Sequence, residues 1–146
     1  MLDAYRDLID DLLNTPSEIR ALVDASGGSS TSPEAKRLVA EIRNRDRAIL
    51  ERVQVITREE TPYLPALRPI ASVDDEDLTA LLEEMEVARG DLVSLLINLS
   101  LKDWTRVAID ETEGEIALAD EVERHVEFDE RQRRQLREIV SGSSSE

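Results

Sequence analysis

The chain has 146 residues, a length that fits one domain, and such a domain buries roughly two-thirds of its unfolded surface without disulfides or structural metals. Its formal charge of −15 repels phosphate backbones and anionic membranes, which argues against nucleic acid and membrane surfaces as partners. The absence of cysteine excludes thiolate chemistry and zinc fingers, and no apolar run approaches the roughly 18 residues of a membrane span. The sequence predicts a soluble cytoplasmic protein.

The first helical segment carries a helix start signal in its middle. Apolar residues recur at spacings of three and four over residues 2–13, which is the period of an amphipathic helix. Thr15, Pro16 and Glu18 then match a capping box with proline in the first turn. These residues predict one long broken helix or two short ones, followed by a mobile glycine- and serine-rich loop at 26–32.

The second helix is predicted from Pro33 to about Arg58. Its apolar stripe consists of Leu38, Ile42, Ile49, Leu50, Val53 and Ile56. Asp46 lies on the same stripe, so we expect its carboxylate to point inward. Because an unpaired buried charge is costly, Asp46 should meet an arginine or the backbone of another helix.

A long crossover connects the second helix to the third. Residues 57–74 hold three of the five prolines, which predicts an ordered non-helical connection. We expect Tyr63, Leu64 and Leu67 to anchor this connection in the bundle. Long connections are often functional, and the alternative is a simple lid over one end of the core.

The third helix is predicted to start near residues 72–75 and to end at Asn98. Its leucine-rich stripe is the most regular in the chain, and Gly90 is expected to permit close approach of a neighbouring helix. Ser100 and Asp103 predict a capped short turn that buries Trp104.

The last helix is predicted over residues 115–140, and its buried face is unusual. The stripe consists of Leu118, Val122, Leu136, Ile139 and Val140. His125, Asp129 and Gln132 lie in the middle of this stripe, with Phe128 on its flank. Polar side chains on a face that should be apolar indicate a present or former site.

The fold predicted from these elements is all-α, because no repeat and no alternating strand pattern is evident. We expect a four-helix bundle in a single domain over residues 1–140, with a long proline-containing connection between helices 2 and 3. Residues 141–146 are predicted to form a flexible tail.

Several segments carry a family resemblance along nearly the whole chain. They are LLNTPSEIRALV at 12–23, LVAEIRNRDRAILERV at 38–53, TPYLPAL at 61–67, LSLKDWTRVA at 99–108 and GEIALADEV at 114–122, followed by a charged helix that ends in QL. In this order they resemble the DinB-like superfamily, the damage-inducible DinB/YfiT-type metal-binding helical bundles. The resemblance implies a four-helix bundle that holds a divalent metal, typically nickel or zinc, on three histidines.

The residues at the positions of those histidines are different in this chain. An alignment without gaps, anchored by Asp46 and Asp129, puts Glu41 at the ligand position of the second helix. It puts Phe128 and Gln132 at the two ligand positions of the last helix. One carboxylate, one amide and one phenyl ring are a poor ligand set for zinc or nickel. The resemblance therefore implies a degenerate metal site.

Two interpretations of the remaining polar residues stay open. A shift of one residue in the alignment would place His125 and Asp129 near the metal, with Asp46 facing them, as a site for manganese, iron or zinc. Alternatively, His125 is hydrogen-bonded to Asp46, Asp129 or Glu41 in a polar core network, and Phe128 fills the space left by the metal.

The function predicted from these residues is that of a non-catalytic binding or interaction protein without a cofactor. Its pocket, near Glu41, His125, Phe128 and Gln132, would take a small molecule. The alternative is an enzyme of the kind that the resemblance implies, a metal-dependent thiol transferase, centred on His125 and Asp129. The leucine-rich third helix adds a further hypothesis, a homodimer. A Ser/His/Asp hydrolase is not supported, because the chain has one histidine and no GxSxG motif.

Overall fold

The computed structural model describes residues 3–25, 33–68 and 76–144. Four long helices dominate it: α1 (Asp3–Ala25), α2 (Pro33–Arg58), α3 (Leu78–Ile97) and α5 (Leu118–Ser144). Both α1 and α2 pack against α3 and α5, so α1 lies diagonally opposite α2, and α3 lies diagonally opposite α5. The predicted four-helix bundle is confirmed. No helix of the described ranges is long and apolar enough to cross a membrane.

Helix α1 runs without a break through Pro16, so the predicted interruption is wrong. Proline has no N–H, and the carbonyl of Leu12 therefore lacks its usual partner within the helix. Nη1 of Arg89 donates to that carbonyl at 2.7 Å. A contact from another helix thus compensates for the proline. The loop predicted at 26–32 lies outside the described residues.

Helix α2 has the predicted bounds, whereas α3 begins later than expected. The carboxylate of Asp77 accepts a hydrogen bond from the backbone N–H of Ala80 at 3.1 Å and caps α3. Residues 76 and 77 are not helical, and the predicted start at 72–75 lies outside the described residues. Gly90 is exposed, and a Cβ there would meet nothing within 4 Å, so the expected close helix approach at this glycine is wrong.

A short helix, α4 (Leu101–Trp104), follows α3 as predicted. Ser100 and Asp103 form the predicted capping box. Trp104 is buried, and its ring stacks on Tyr5 of α1 with 4.3 Å between the centroids. The capped turn is therefore an anchor between α1 and the segment that precedes α5.

A small three-stranded sheet is an addition to the predicted fold. Strands β1 (Tyr63–Leu64) and β2 (Val107–Asp110) are parallel, and β3 (Gly114–Ala117) is antiparallel to β2. The expectation that the chain has no strands is therefore wrong. These runs are too short for their alternation to be distinguished from a helical pattern, and β1 comes from the distant crossover. Because residues 114–117 pair with β2, α5 begins at Leu118, not at Glu115.

The anchors of the crossover and the end of α5 also differ in part from the predictions. Leu64 is buried and Leu67 is partly buried, as expected, but Tyr63 is 58% exposed and its hydroxyl donates to Glu111. Helix α5 continues through Ser144, beyond the predicted end at Val140. Residues 145 and 146 lie outside the described part of the chain.

The apolar core is divided into two clusters. One contains Ile9, Leu12, Ile49, Val53, Ile56, Leu92, Leu96, Trp104 and Val122, and the sheet joins it through Leu64, Ala108 and Ile116. The other contains Ile19, Val23, Leu38, Ile42, Leu81, Met85 and Leu136. Along each long helix, the boundary between the clusters coincides with polar residues.

Gly90 and Gly114 give a matched test of backbone effects. A Cβ has open space at both Gly90 and Gly114, but Gly114 has a φ of +79° and Gly90 lies within α3. We expect Gly90→Ala to raise the free energy of unfolding by about 0.5–1 kcal/mol, because alanine favours the helix. Gly114→Ala should lower it by about 1–2 kcal/mol, because alanine is strained at positive φ. Urea denaturation measures both, and equal effects would contradict this account.

Candidate functional site

A layer of buried polar side chains separates the two apolar clusters, and every long helix contributes to it. We call it the Arg89 network; it consists of Thr15 from α1, Asp46 from α2, Arg89 from α3, and His125 and Asp129 from α5. Each member is at most 1% exposed. Each lies on the apolar stripe of its own helix, so the helical period that builds the core also brings the five side chains together.

The guanidinium of Arg89 is the centre of this network. Its Nε donates to Oδ1 of Asp46 at 2.9 Å. Its Nη1 and Nη2 donate to Oδ2 and Oδ1 of Asp129 at 2.7 and 2.9 Å, a bidentate pair. With the bond to Leu12, this one side chain on α3 contacts all three other long helices. Burial alone would lower the pKa of Arg89, but its hydrogen bonds and attraction to Asp129 and Asp46 outweigh burial and raise it.

His125 connects the network to the outside of the bundle. Nδ1 of the imidazole accepts a hydrogen bond from Nε of Arg45 at 3.1 Å. Since an arginine Nε always carries hydrogen, the imidazole proton must be on Nε2, which lies 2.6 Å from Oδ1 of Asp46 and donates to it. The predicted hydrogen bond between His125 and Asp46 is present. The second carboxylate oxygen of Asp46, Oδ2, has no partner among the described residues.

Asp129 is held from a second side by α1. The hydroxyl of Thr15 donates to Oδ2 of Asp129 at 2.8 Å and accepts from Nη1 of Arg133 at 2.8 Å. Arg133 also pairs with Glu18 at 3.3 Å. Thr15 was expected to cap a helix, but it lies inside α1 and links that helix to α5.

The three residues aligned with the family's ligands lie beside the network. Nε2 of Gln132 donates to Oε1 of Glu41 at 3.1 Å and to the carbonyl of Leu38 at 3.2 Å. Phe128 is half-buried, with its ring stacked 6.0 Å from that of His125. Glu41 and Phe128 line a common pocket.

This pocket, which we call the crossover pocket, has a volume of about 170 Å³. It is lined by Glu41, Asn44, Arg45 and Ala48 of α2, by Leu67 and Arg68 of the crossover, and by Phe128 of α5. Of the four residues that the sequence predicted around a pocket, Glu41 and Phe128 line it. Gln132 bonds Glu41, and His125 lies behind Arg45 and Phe128.

The side chains at these positions do not fit the metal that the family resemblance implies. Of the three aligned residues, Glu41 has a carboxylate and Gln132 an amide, and these two side chains are already hydrogen-bonded to each other. The phenyl ring of Phe128 offers no ligand atom. The alternative set, Asp46, His125 and Asp129, surrounds the positive charge of Arg89. Within residues 3–25, 33–68 and 76–144, no three His, Cys, Asp or Glu side chains are grouped to hold a metal ion.

A second buried charge cluster, centred on Arg52, fixes the crossover to the bundle. Nη1 of Arg52 donates to Asp110 at 3.0 Å and to Glu121 at 2.8 Å, and its Nη2 donates to the carbonyl of Pro65. Asp110 also accepts the backbone N–H groups of Thr112 and Glu113, both at 2.9 Å. The cluster therefore joins α2, the crossover, β2 and α5.

Arg89, Arg45 and Arg52 were not singled out from the sequence. The signal for Arg89 was available, because it continues the stripe of Met85, Leu92 and Leu96 at spacings of four, three and seven. An inward arginine on one helix facing inward carboxylates on two others would have predicted the network. Arg45 and Arg52 show no such signal, because their partners depend on how α2 meets α5 and the crossover.

Comparison with known proteins bears on the fold. No family model matches the sequence, and no curated protein matches it. The structure is similar to that of YfiT from Bacillus subtilis, with a TM-score of 0.83 over 99% of this chain and 90% of that chain, at 15% sequence identity. YfiT is described as a probable metal-dependent hydrolase with an unusual four-helix bundle topology. The fold implied by the DinB-like resemblance is thus confirmed.

Replacement of Arg89 tests how far the bundle depends on the network. Arg89→Met should lower the free energy of unfolding by about 3–5 kcal/mol, because it leaves two buried carboxylates without their cation. Arg20→Met is the control: Arg20 pairs with Glu86 at the surface, so its loss should cost under about 1 kcal/mol. Chemical denaturation measures both. Similar small losses in the two variants would contradict the central role of Arg89.

Asp110 provides a test by pH. Burial alone would raise its pKa, but hydrogen bonds from the backbone of Glu113 and Thr112, and then from Arg52, hold the pKa below the ordinary 3.8. A lowered folded-state pKa contributes stability that is present above pH 3.8 and lost as the pH falls through the folded value. The difference in unfolding free energy between wild type and Asp110→Asn should therefore shrink below about pH 4. If the difference in unfolding free energy stays constant down to pH 2, the lowered pKa of Asp110 does not contribute to stability.

Proposed function

We propose that this protein is a non-catalytic binding protein that takes a small molecule in the crossover pocket without a metal. The observation that carries the proposal is the position of the pocket. Two of the three aligned ligand positions line it, Glu41 of α2 and Phe128 of α5. A cavity at positions that the resemblance aligns with metal ligands, but that lack histidine, supports binding better than metal chemistry.

The chemistry around the pocket supports a metal-free site. Imidazole is the usual ligand for zinc and nickel, and neither Glu41, Phe128 nor Gln132 supplies one. The one histidine of the chain is turned away from this position, because its nitrogens bond Arg45 and Asp46.

The lining of the pocket suits a small organic ligand. Ala48, Leu67 and Phe128 provide apolar surface, and a few polar groups converge on the same space. Pockets of this composition bind small molecules through apolar contact and use the polar groups for orientation. The crossover supplies one wall through Leu67 and Arg68, and the contact between Arg52 and Pro65 fixes it to α2.

An enzyme is the second candidate function, and one observation favours it. His125, Asp46 and Asp129 meet in the middle of the bundle, and YfiT, whose fold the chain shares, is described as a probable metal-dependent hydrolase. Such an enzyme, or the thiol transferase implied by the family resemblance, would need a metal near His125 and Asp129. Arg89 would have to leave that position first, because its positive charge opposes a divalent cation at the same carboxylates.

The homodimer remains a prediction. The leucines of α3 face the interior, and Val87 and Ile97 are the large apolar residues exposed in the described part of this helix. These two residues are ten positions apart and make a small surface for self-association.

Elemental analysis tests the metal-free proposal. The protein is incubated with nickel, zinc, manganese or iron, desalted exhaustively and compared with His125→Ala. We expect both proteins to retain far less than one metal per chain, because no suitable ligand set is free among the described residues. Retention of about one metal per chain by the wild type, lost in His125→Ala, would overturn the proposal and support the enzyme.

A gain-of-function control tests whether the aligned positions are the correct ones. The triple variant Glu41→His, Phe128→His, Gln132→His restores the histidines that the resemblance implies. We expect it to retain about one zinc or nickel ion per chain, since Glu41 already contacts Gln132 and shares a pocket with Phe128. If a folded triple variant takes up no metal, the crossover pocket is not the place of the former site.

A further inference from the structure

The crossover pocket has a charged group, the guanidinium of Arg45, that forms no ion pair with the described residues. Arg45 is half-buried, and among the described residues no carboxylate oxygen lies within 4.0 Å of its nitrogens. Its Nε donates to His125, whereas Nη1 and Nη2 have no hydrogen-bond acceptor in the described ranges. Every other half-buried or buried arginine of the described ranges pairs with at least one carboxylate; these are Arg20, Arg43, Arg52, Arg89, Arg106, Arg124 and Arg133. Arg45 is therefore a cation held in place with its terminal nitrogens unused.

The guanidinium of Arg45 is held in one orientation. His125 fixes its Nε at 3.1 Å, and the ring of Phe128 lies beneath the guanidinium, with 4.9 Å between the Cζ atom and the ring centroid. His125 is itself held by Asp46, which Arg89 holds in turn. Through this chain of contacts the buried network positions Arg45. Burial lowers the pKa of Arg45, and the attraction to Glu121 and Asp129 is too weak to offset the lost solvation.

The remaining charges of the pocket also favour an anion. Arg68 forms part of the wall contributed by the crossover and is exposed at its rim. Glu41 is the acidic residue of the lining, and its two oxygens already contact Gln132 at 3.1 Å and Arg37 at 3.5 Å. Two arginines and one engaged carboxylate leave a local positive charge in a protein whose formal charge is −15.

We propose that the crossover pocket binds a small carboxylate with a compact apolar body, whose two oxygens pair with Nη1 and Nη2 of Arg45 while its apolar part packs on Phe128 and Leu67. This inference rests on the proposed function, and it names the class of ligand. A bidentate pair between guanidinium and carboxylate uses the two nitrogens that Arg45 leaves free. Arg68 contributes a second positive charge at the rim.

The size of the pocket limits the apolar part of the ligand. A cavity of about 150 Å³ accommodates one benzene molecule, and the crossover pocket has about 170 Å³. A single ring or a short aliphatic chain therefore fits, and phenylacetate is a suitable probe. Its neutral isostere, 2-phenylacetamide, keeps the shape and removes the charge.

Titration of the full chain with these two compounds, followed by protein-observed NMR at low salt, tests the proposal. We expect phenylacetate to bind at least about tenfold more tightly than the amide, because hydrogen bonds to charged groups are the stronger ones. Added salt should reduce this preference. Arg45→Gln should reduce the preference to about twofold or less. Arg68→Gln should reduce it partly, and because Arg68 is exposed, this variant keeps the test valid if Arg45→Gln fails to fold.

Two further variants separate the possible results. Ala48→Phe fills the pocket and should abolish binding of both compounds. Arg6→Gln removes the same charge from an exposed position on α1, diagonally across the bundle, and should leave both affinities unchanged. Equal binding of acid and amide, abolished by Ala48→Phe, would overturn the carboxylate inference and leave the binding function standing. If neither compound binds at millimolar concentration, both the carboxylate inference and the proposed binding function are overturned. If Ala48→Phe leaves binding unchanged, the ligand binds outside the crossover pocket, which also overturns the inference.

Discussion

The buried guanidinium of Arg89 is the constraint on which the rest of this structure depends. It donates four hydrogen bonds, to Leu12, Asp46 and both oxygens of Asp129, and so contacts every long helix except its own. Two carboxylates in an apolar interior need a cation, and the cation needs them, because charges removed from water are costly unless they are paired and hydrogen-bonded. Such a group has few alternative partners. The network therefore joins the four long helices at one level along their axes.

Local departures from helical rules are explained by the same interaction. Pro16 within α1 removes a backbone donor, and the acceptor that it leaves free, the carbonyl of Leu12, is taken by Arg89. Thr15, beside the proline, uses its hydroxyl to hold Asp129. His125 and Asp129, the polar residues in the middle of α5, likewise find their partners on other helices. At each of these positions, a tertiary contact compensates for a residue that departs from the local preference of its helix.

The Arg89 network also positions a side chain of the crossover pocket at the edge of the bundle. Contacts lead from Arg89 through Asp46 and His125 to Arg45, so a charge in the core orients a side chain of the crossover pocket. The second buried charge cluster, centred on Arg52, holds the crossover through Pro65 and β2 through Asp110. Rigid polar groups positioned by a buried scaffold are characteristic of sites that recognise a ligand. The chain shares its fold with a protein described as a probable metal-dependent hydrolase. In this chain, the positive charge in the middle of the bundle is the guanidinium of Arg89.

The sequence by itself determined the helices and their buried faces, since the 3.6-residue period, the cap at Ser100 and the family resemblance depend on local order along the chain. It also placed Asp46, His125, Asp129 and Gln132 inside the bundle, because each interrupts an apolar stripe. Tertiary structure decided the rest. The continuity of α1 through Pro16 and the pairing of β1 with β2 depend on partners at least 40 residues away in sequence. The same is true of the choice of Arg89 as the partner of two carboxylates, because a charged side chain acquires its partner only when helices meet.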